Sequence, residues 1–149
     1  MNLVTSIDQY NPECIYFCES IKNNIMNDGY FIRILYSTNC FVLNGIYISL
    51  HINYIAIEKY FNKFKCSFDI ILYKKLIDNL RAIEDTIINK INIKGKTPQY
   101  KIYEQIKNGS IKIFGDNNNN NIDNTFILKI SGAWETDLYY GLTYKFIKA

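Results

Sequence analysis

Four short segments of this chain alternate apolar and other residues with a period of two, and each carries one cation near its centre. They are Arg33 in residues 30–36, Lys112 in 111–113, Lys129 in 127–130 and Lys145 in 142–146. Successive side chains of a β-strand point to opposite faces, so each cation would lie on the face opposite its apolar neighbours. The pattern predicts a sheet with one apolar face and one face that bears cations and aromatic rings.

Two interpretations of the cationic face follow from this pattern. A surface with cations and rings suits a polyanion whose bases can stack, and single-stranded nucleic acid is the obvious candidate. A half-exposed sheet also commonly places lysines on its wet face, where they confer solubility and block edge pairing. By the alternation alone, the solubility interpretation is the more common one.

Size and charge limit both the fold and the partner. A chain of 149 residues with 48% apolar side chains can form one domain, 1–149, with its own core. The net charge of +3 is too small to attract nucleic acid from a distance, so a polyanion site must be a local patch. The 13 tyrosines and 9 phenylalanines are compatible with a stacking surface, although an AT-rich gene would produce the same excess.

The chemistry that an enzyme or a metal site needs is not apparent in the sequence. The single histidine, His51, cannot support a nucleophilic triad, and no glycine-rich phosphate loop is present. Four cysteines (Cys14, Cys18, Cys40 and Cys66) have no established metal spacing. We therefore expect a protein that is not an enzyme and needs no metal or other cofactor.

The same features bear on location. Reduced structural cysteines indicate an intracellular compartment. The sequence shows no secretory signal and no stretch of ~20 apolar residues, so we expect no contact with a membrane.

Local patterns predict the order of helices and strands. Asn11 and Pro12 favour the start of a short N-terminal helix that continues to Gly29, although residues 15–18 could equally form a strand. Residues 30–36 and 40–51 resemble an antiparallel hairpin. The principal helix is expected at about 71–91, because Leu72, Leu76, Leu80, Ile83, Ile87 and Ile91 form one apolar stripe.

The second half of the chain adds further strands and one loop. Strands are expected at 66–70, 110–114, 126–131 and 141–147, and residues 116–124 are expected to form a mobile Asn-rich loop. About five strands with one principal helix describe a β-rich α+β fold, in the form of a small, OB-like, partly open barrel.

The candidate site consists of seven residues. Trp134, the lone tryptophan, follows Gly132 in a polar connection, where it could be either a core residue or a stacking ring at the rim. The expected phosphate contacts are Arg33, Lys112, Lys129 and Lys145, and the expected stacking rings are Phe31, Tyr47 and Trp134.

The segment 126–147 resembles the end of the OB-fold single-stranded DNA-binding proteins of nucleocytoplasmic large DNA viruses, the giant viruses among them, which are similar to a phage replication type. The closing strand of that family is matched by Tyr140-Gly141-Leu142-Thr143-Tyr144-Lys145, and residues 20–29 resemble its opening. The resemblance implies an OB-fold that binds single-stranded DNA without sequence preference in viral DNA replication or recombination. It places the protein in the host cytoplasm or nucleus, with replication proteins as partners.

One departure from the family keeps a second function open. Proteins of the phage type often carry an acidic C-terminal tail that recruits replication partners, whereas this sequence ends in Lys148-Ala149. A viral structural or host-interaction protein could use the same scaffold to bind another protein. The sequence does not decide between DNA and RNA, and it leaves self-association to form a homo-oligomer open.

Overall fold

The structure is a computed structural model that describes residues 4–22, 29–60, 62–114 and 124–148. Within these ranges the chain forms twelve β-strands in one mixed sheet, with one principal helix and one short helix. The predicted β-rich α+β class with one principal helix is confirmed. Residues 116–123 of the expected Asn-rich loop lie outside the described residues.

The strands of the first half are short except for β4 and β6. Their bounds are β1 Thr5–Ser6, β2 Ile15–Phe17, β3 Ile21–Lys22, β4 Tyr30–Ser37, β5 Val42–Leu43, β6 Ile46–His51, β7 Ala56–Tyr60 and β8 Lys63–Ser67. The predicted hairpin of residues 30–36 and 40–51 is confirmed only at its turn, where β5 pairs with β4 in antiparallel register. The longer part of the second run forms β6, which pairs with β11 instead. Gly45 has a φ of +123° at the corner between β5 and β6, and a Cβ there would lie 3.0 Å from the Ile130 carbonyl oxygen. Glycine therefore suits this corner.

The second half contributes the helices and the longest strands. Their bounds are α1 Lys74–Ile91, β9 Thr97–Gln99, α2 Lys101–Ile106, β10 Ser110–Phe114, β11 Thr125–Glu135 and β12 Tyr139–Lys148. The principal helix starts three residues later than expected, because Asp69 accepts hydrogen bonds from the backbone N–H groups of Ile71 and Leu72 and so holds them in a turn. Trp134 lies within β11 and not in a connection.

The main path of the sheet runs β1-β6-β11-β12-β10-β8-β7, with β1 and β7 at its ends. The sheet also branches, because β4 pairs with β11 and with the short strands β2, β3 and β5, and β9 pairs with β12. β11 pairs with β6 through its first half and with β4 through its second half, on either side of a bulge between Ile130 and Gly132. Three pairs (β1–β6, β9–β12 and β10–β12) are parallel, which makes the sheet mixed. This sheet is not closed on itself. The prediction of a five-stranded OB-like barrel is therefore wrong.

The expected N-terminal helix is also wrong over residues 11–22, where the alternative of a strand near residues 15–18 is the one observed, and residues 23–28 of its range lie outside the described residues. Asn11 does cap a turn, since its Oδ1 accepts a hydrogen bond from the Glu13 N–H at 3.0 Å, but the turn covers only Pro12–Cys14. The chain then enters β2, which pairs with β4. The β-branched and aromatic residues 15–17 find strand partners there, and this tertiary pairing overrides the helical spacing of the apolar side chains.

The core lies between the sheet and the two helices. Ile77, Leu80, Ile83 and Ile87 of α1 pack in the same cluster as the inward side chains of the sheet, such as Leu128 and Ile130 of β11. The predicted stripe on α1 is largely confirmed, although Leu72 precedes the helix and is exposed. One face of the central strands is thus covered by helices.

Glu84 is a fully buried carboxylate of α1 that positions α2. Its two oxygens accept hydrogen bonds from the backbone N–H groups of Ile102 and Tyr103, at 2.9 and 3.0 Å. These N–H groups belong to the first turn of α2, whose N-cap residue provides no side-chain hydrogen bond. Burial raises the pKa of Glu84, and its two backbone hydrogen bonds only partly oppose that shift.

We predict that Glu84→Gln lowers the free energy of unfolding by about 1–3 kcal/mol, because the amide nitrogen cannot accept a hydrogen bond from an N–H of α2, whereas both oxygens of the carboxyl can accept one even when it is protonated. A carboxyl with a raised pKa holds its proton more tightly in the folded state, so its contribution is full below the ordinary pKa and declines as the pH rises through the raised value. Urea unfolding should therefore show a larger gap between wild type and variant at about pH 5 than at about pH 8.

Asp78→Asn, on the exposed side of α1, is the matched control and should show a much smaller gap at either pH. An equal loss of stability in the two variants would contradict the positioning role of Glu84.

Candidate nucleic-acid interface

Four lysines from four adjacent strands form one row on the sheet. Lys129 of β11 pairs with Lys145 of β12, and Lys112 of β10 pairs with Lys65 of β8. Ile113 pairs with Phe146 in parallel register, which places Lys112 beside Lys145. With neighbouring strands about 4.8 Å apart, the lysine row (Lys65, Lys112, Lys145 and Lys129) spans about 14 Å.

The lysine row lies on the face opposite the core. Each lysine is next to buried inward-facing residues, as Lys129 is between Leu128 and Ile130 and Lys112 is between Ile111 and Ile113. Lys112 and Lys145 are exposed, and Lys65 and Lys129 are half-buried. The alternation in the sequence therefore does translate into a cationic outer face.

The charges of the lysine row repel one another. Like charges directly opposite each other on neighbouring strands destabilise a sheet. Between residues of the described part of the chain, ion pairs join Lys96 to Glu135 and Lys101 to Glu104, and neither pair includes a lysine of the row. Glu58 is the cross-strand partner of Lys65, but its carboxylate accepts a hydrogen bond from the Tyr60 hydroxyl at 2.5 Å.

This clustering differs from the usual arrangement for solubility, in which charges of both signs are interspersed. Such a row gains most from an anionic partner, because the anion removes the repulsion as it binds.

Aromatic rings lie at both ends of this face. Tyr47 of β6 is the cross-strand partner of Lys129, and the Lys129 Nζ lies 5.5 Å from the centre of its ring. At the other end, Phe31 of β4 is the direct partner of Trp134 of β11. Arg33, two residues along β4, pairs with Gly132, which also pairs with Thr143 of β12. Arg33 is exposed on the same face as the lysine row.

Two glycines leave room for Phe31 and Trp134 on the sheet. A Cβ at Gly132 would come within 2.7 Å of the Phe31 ring, and a Cβ at Gly141 would come within 2.9 Å of the Trp134 indole, and a backbone oxygen lies even closer to each of these two positions. Each ring therefore lies close against the bare backbone of a glycine. We call Phe31 and Trp134 the aromatic platform. Both rings are half-buried, so part of their surface remains accessible.

A cleft borders the platform and the lysine row. Between its pairing with β9 at Gly141 and with β10 at Phe146, β12 has no strand beside it among the described residues, and α2 fills part of the gap. Gln105 of α2 accepts a hydrogen bond from the Lys112 N–H at 3.1 Å and donates one to the Tyr144 hydroxyl at 3.0 Å. Burial of that hydroxyl raises the pKa of Tyr144 to about 12.

All seven residues predicted from the sequence lie on this one outer face. Sequence reasoning missed Lys65, although residues 63–67 alternate in the same way as the other four segments. It also missed Lys101 and Gln105, which the packing of α2 brings to the edge of β12. No local pattern in the sequence indicates that placement.

The described residues give little support for a metal site, a reactive thiol or a membrane-spanning helix. Across residues 4–22, 29–60, 62–114 and 124–148, no three His, Cys, Asp or Glu side chains lie close enough to hold a metal ion. Cys66 is buried, and burial raises the pKa of its thiol to about 11, which disfavours the thiolate. None of the described helices is long and apolar enough to span a membrane.

Comparison of the chain with protein-family models, curated proteins and solved structures gives no match.

We predict that Lys145→Gln increases the free energy of unfolding by up to about 0.5–1 kcal/mol at low salt, because Lys145 has a lysine on each side. The gain should shrink as salt screens the repulsion. Thermal unfolding at two salt concentrations measures both effects. Lys75→Gln, which removes an exposed charge from α1, is the control. A loss of stability in Lys145→Gln, or an equal gain in the control, would contradict the repulsion.

Proposed function

We propose that the protein binds single-stranded nucleic acid on the outer face of its sheet, without sequence preference and without catalysing a reaction. The lysine row supports this proposal, because it places four cations side by side and none of them forms an ion pair with an acidic side chain of the described residues. Phosphates of a flexible strand would lie along the row, and bases would stack on Tyr47 and on the aromatic platform.

The length of the lysine row suits a short stretch of one nucleic-acid strand. Each nucleotide of a stacked strand rises by about 3.4 Å along the helix axis, so a row of about 14 Å matches the axial length of about four nucleotides, and of fewer in an extended strand. Bases that are not paired present their faces to the rings, whereas the bases of a duplex are stacked on each other. A single strand is therefore the preferred form of the ligand.

The resemblance of segment 126–147 supports single-stranded DNA as the ligand and viral DNA replication or recombination as the role. Because the sheet is not the five-stranded barrel of that family, the proposal depends on the lysine row and the rings and not on the fold.

A second candidate function, binding of a protein partner, has support from a different surface. Ile71 and Leu72, just before α1, expose 85% and 71% of their surface, and Ile55 exposes 73%. Ile71 and Leu72 are adjacent in the chain, and contiguous exposed apolar surface marks an interaction site. This observation suits a replication protein as partner and does not account for the lysine row.

The salt dependence of oligonucleotide binding tests the primary proposal. Each phosphate contact to a single strand contributes about −0.7 to the slope of log K against log salt, so four lysines give a slope of about −3. The double variant Lys129→Gln/Lys145→Gln should reduce the slope by about 1.4 units and weaken binding at low salt. Fluorescence anisotropy of a labelled oligothymidylate measures both quantities.

Lys75→Gln/Lys90→Gln is the matched control, because it removes the same charge from exposed positions of α1. The control should retain the wild-type slope. Absence of binding at low salt would overturn the proposal, and so would an equal loss in the two double variants, which would indicate a general effect of net charge.

A further inference from the structure

The cleft beside β12 is large enough for a small organic group. Its volume is about 390 Å³, within the range of roughly 300–1,000 Å³ that is typical of small-molecule sites. It is lined by three aromatic residues, Trp134, Tyr144 and Phe146, and by three lysines, Lys101, Lys112 and Lys145, although Phe146 is only 1% exposed. An apolar, aromatic interior thus meets cations from three different elements.

Some polar groups of the cleft form hydrogen bonds within the protein, and others can contact a ligand. Gln105 uses its amide oxygen for the Lys112 N–H and its amide nitrogen for Tyr144, and the Tyr144 hydroxyl donates to the Lys101 carbonyl oxygen at 3.1 Å. These groups hold the wall together. The cations of Lys112 and Lys145 belong to the lysine row, and Lys101 has only an exposed contact of 3.7 Å with Glu104. An exposed contact of this kind competes weakly with a ligand.

Trp134 is half-buried and lines the cleft, so part of its indole is accessible to a ligand. The ring lies close against Gly141 of β12, where a Cβ would approach it to 2.9 Å. Lys145 is four residues further along β12, and Lys112 lies beside it on β10. A ring that is packed against the backbone in this way loses little conformational entropy when a planar group stacks on it.

We propose that this cleft binds one nucleotide unit, with its base stacked on Trp134 and its phosphate beside Lys101, Lys112 and Lys145. This proposal rests on the proposed function if the nucleotide unit belongs to a bound strand. A free mononucleotide has the same chemistry and could bind the cleft without it. A base fits the aromatic interior, and a phosphate needs the cations. The cleft thereby gives the interface one discrete base site in addition to the continuous lysine row.

Trp134 is the only tryptophan of the chain, so its fluorescence reports on the cleft directly. Three ligands are compared: an oligothymidylate of about 12 nucleotides, an abasic strand of the same length, and thymidine monophosphate. Anisotropy of the labelled strands measures binding independently of Trp134. We expect the oligothymidylate to quench the emission and the abasic strand to bind about 5- to 150-fold more weakly without quenching.

Lys101→Gln tests the cationic rim. It should weaken quenching by the oligothymidylate, because the phosphate of the stacked unit loses one cation. Lys107→Gln removes the same charge just after α2, where the side chain is exposed and does not line the cleft, and it should behave as wild type. Circular dichroism of both variants confirms that they are folded.

The outcomes separate the cleft from the general interface. If the two strands bind equally well and the emission is unchanged, the cleft proposal is overturned and the lysine row is retained. Equal effects of Lys101→Gln and Lys107→Gln would also overturn it. Quenching by thymidine monophosphate without binding of either strand would support the cleft and overturn the proposed function. No binding and no quenching by any of the three ligands would overturn both.

Discussion

The pairing of β11 with its neighbours determines where every candidate side chain lies. This strand pairs with β12 along almost its whole length and with β6 and β4 in succession on its other edge. Since side chains alternate between faces, a register shift by one residue would send Lys129 into the core and Leu128 into water. Burial of the inward residues therefore fixes the register, and the register aligns Lys129 with Lys145 on one side and with Tyr47 on the other.

The lysine row is stable only because the opposite face of the same strands is well buried. Ile111, Leu128 and Phe146 are almost completely buried, and each contributes about 1.5–3 kcal/mol on transfer from water. Repulsion between neighbouring lysines costs less than this, on the order of 0.2–1 kcal/mol per pair. The fold can thus tolerate an unfavourable arrangement of charge, and natural proteins commonly retain such arrangements at functional sites.

The alternation within each segment predicts on which face of the sheet a side chain lies. It does not predict which strand pairs beside that segment. The cations of four segments were assigned to the correct face because a period of two needs no tertiary information. The number of strands was underestimated, since pieces as short as Val42–Leu43 or Thr97–Gln99 exist only through pairing with a partner distant in sequence. The same limit applies to α2 and to its Lys101, which reach β12 through the buried contact of Glu84 with the first turn of α2. Trp134 was expected in a polar connection between two strands, but β11 continues past the bulge after Ile130 to Glu135, and Gly132 lies against the Phe31 ring.

Lysine footprinting tests whether the lysine row is the nucleic-acid interface, since it observes all four lysines of the row in one experiment. The protein is acetylated with a lysine-reactive reagent, with and without a saturating oligothymidylate at low salt, and the modified sites are quantified by mass spectrometry. The account predicts that Lys65, Lys112, Lys129 and Lys145 are protected together, while Lys74, Lys75 and Lys90 of α1 react at the same rate in both samples. Protection of the α1 lysines instead, or of none, would contradict the assignment of the outer face as the nucleic-acid interface.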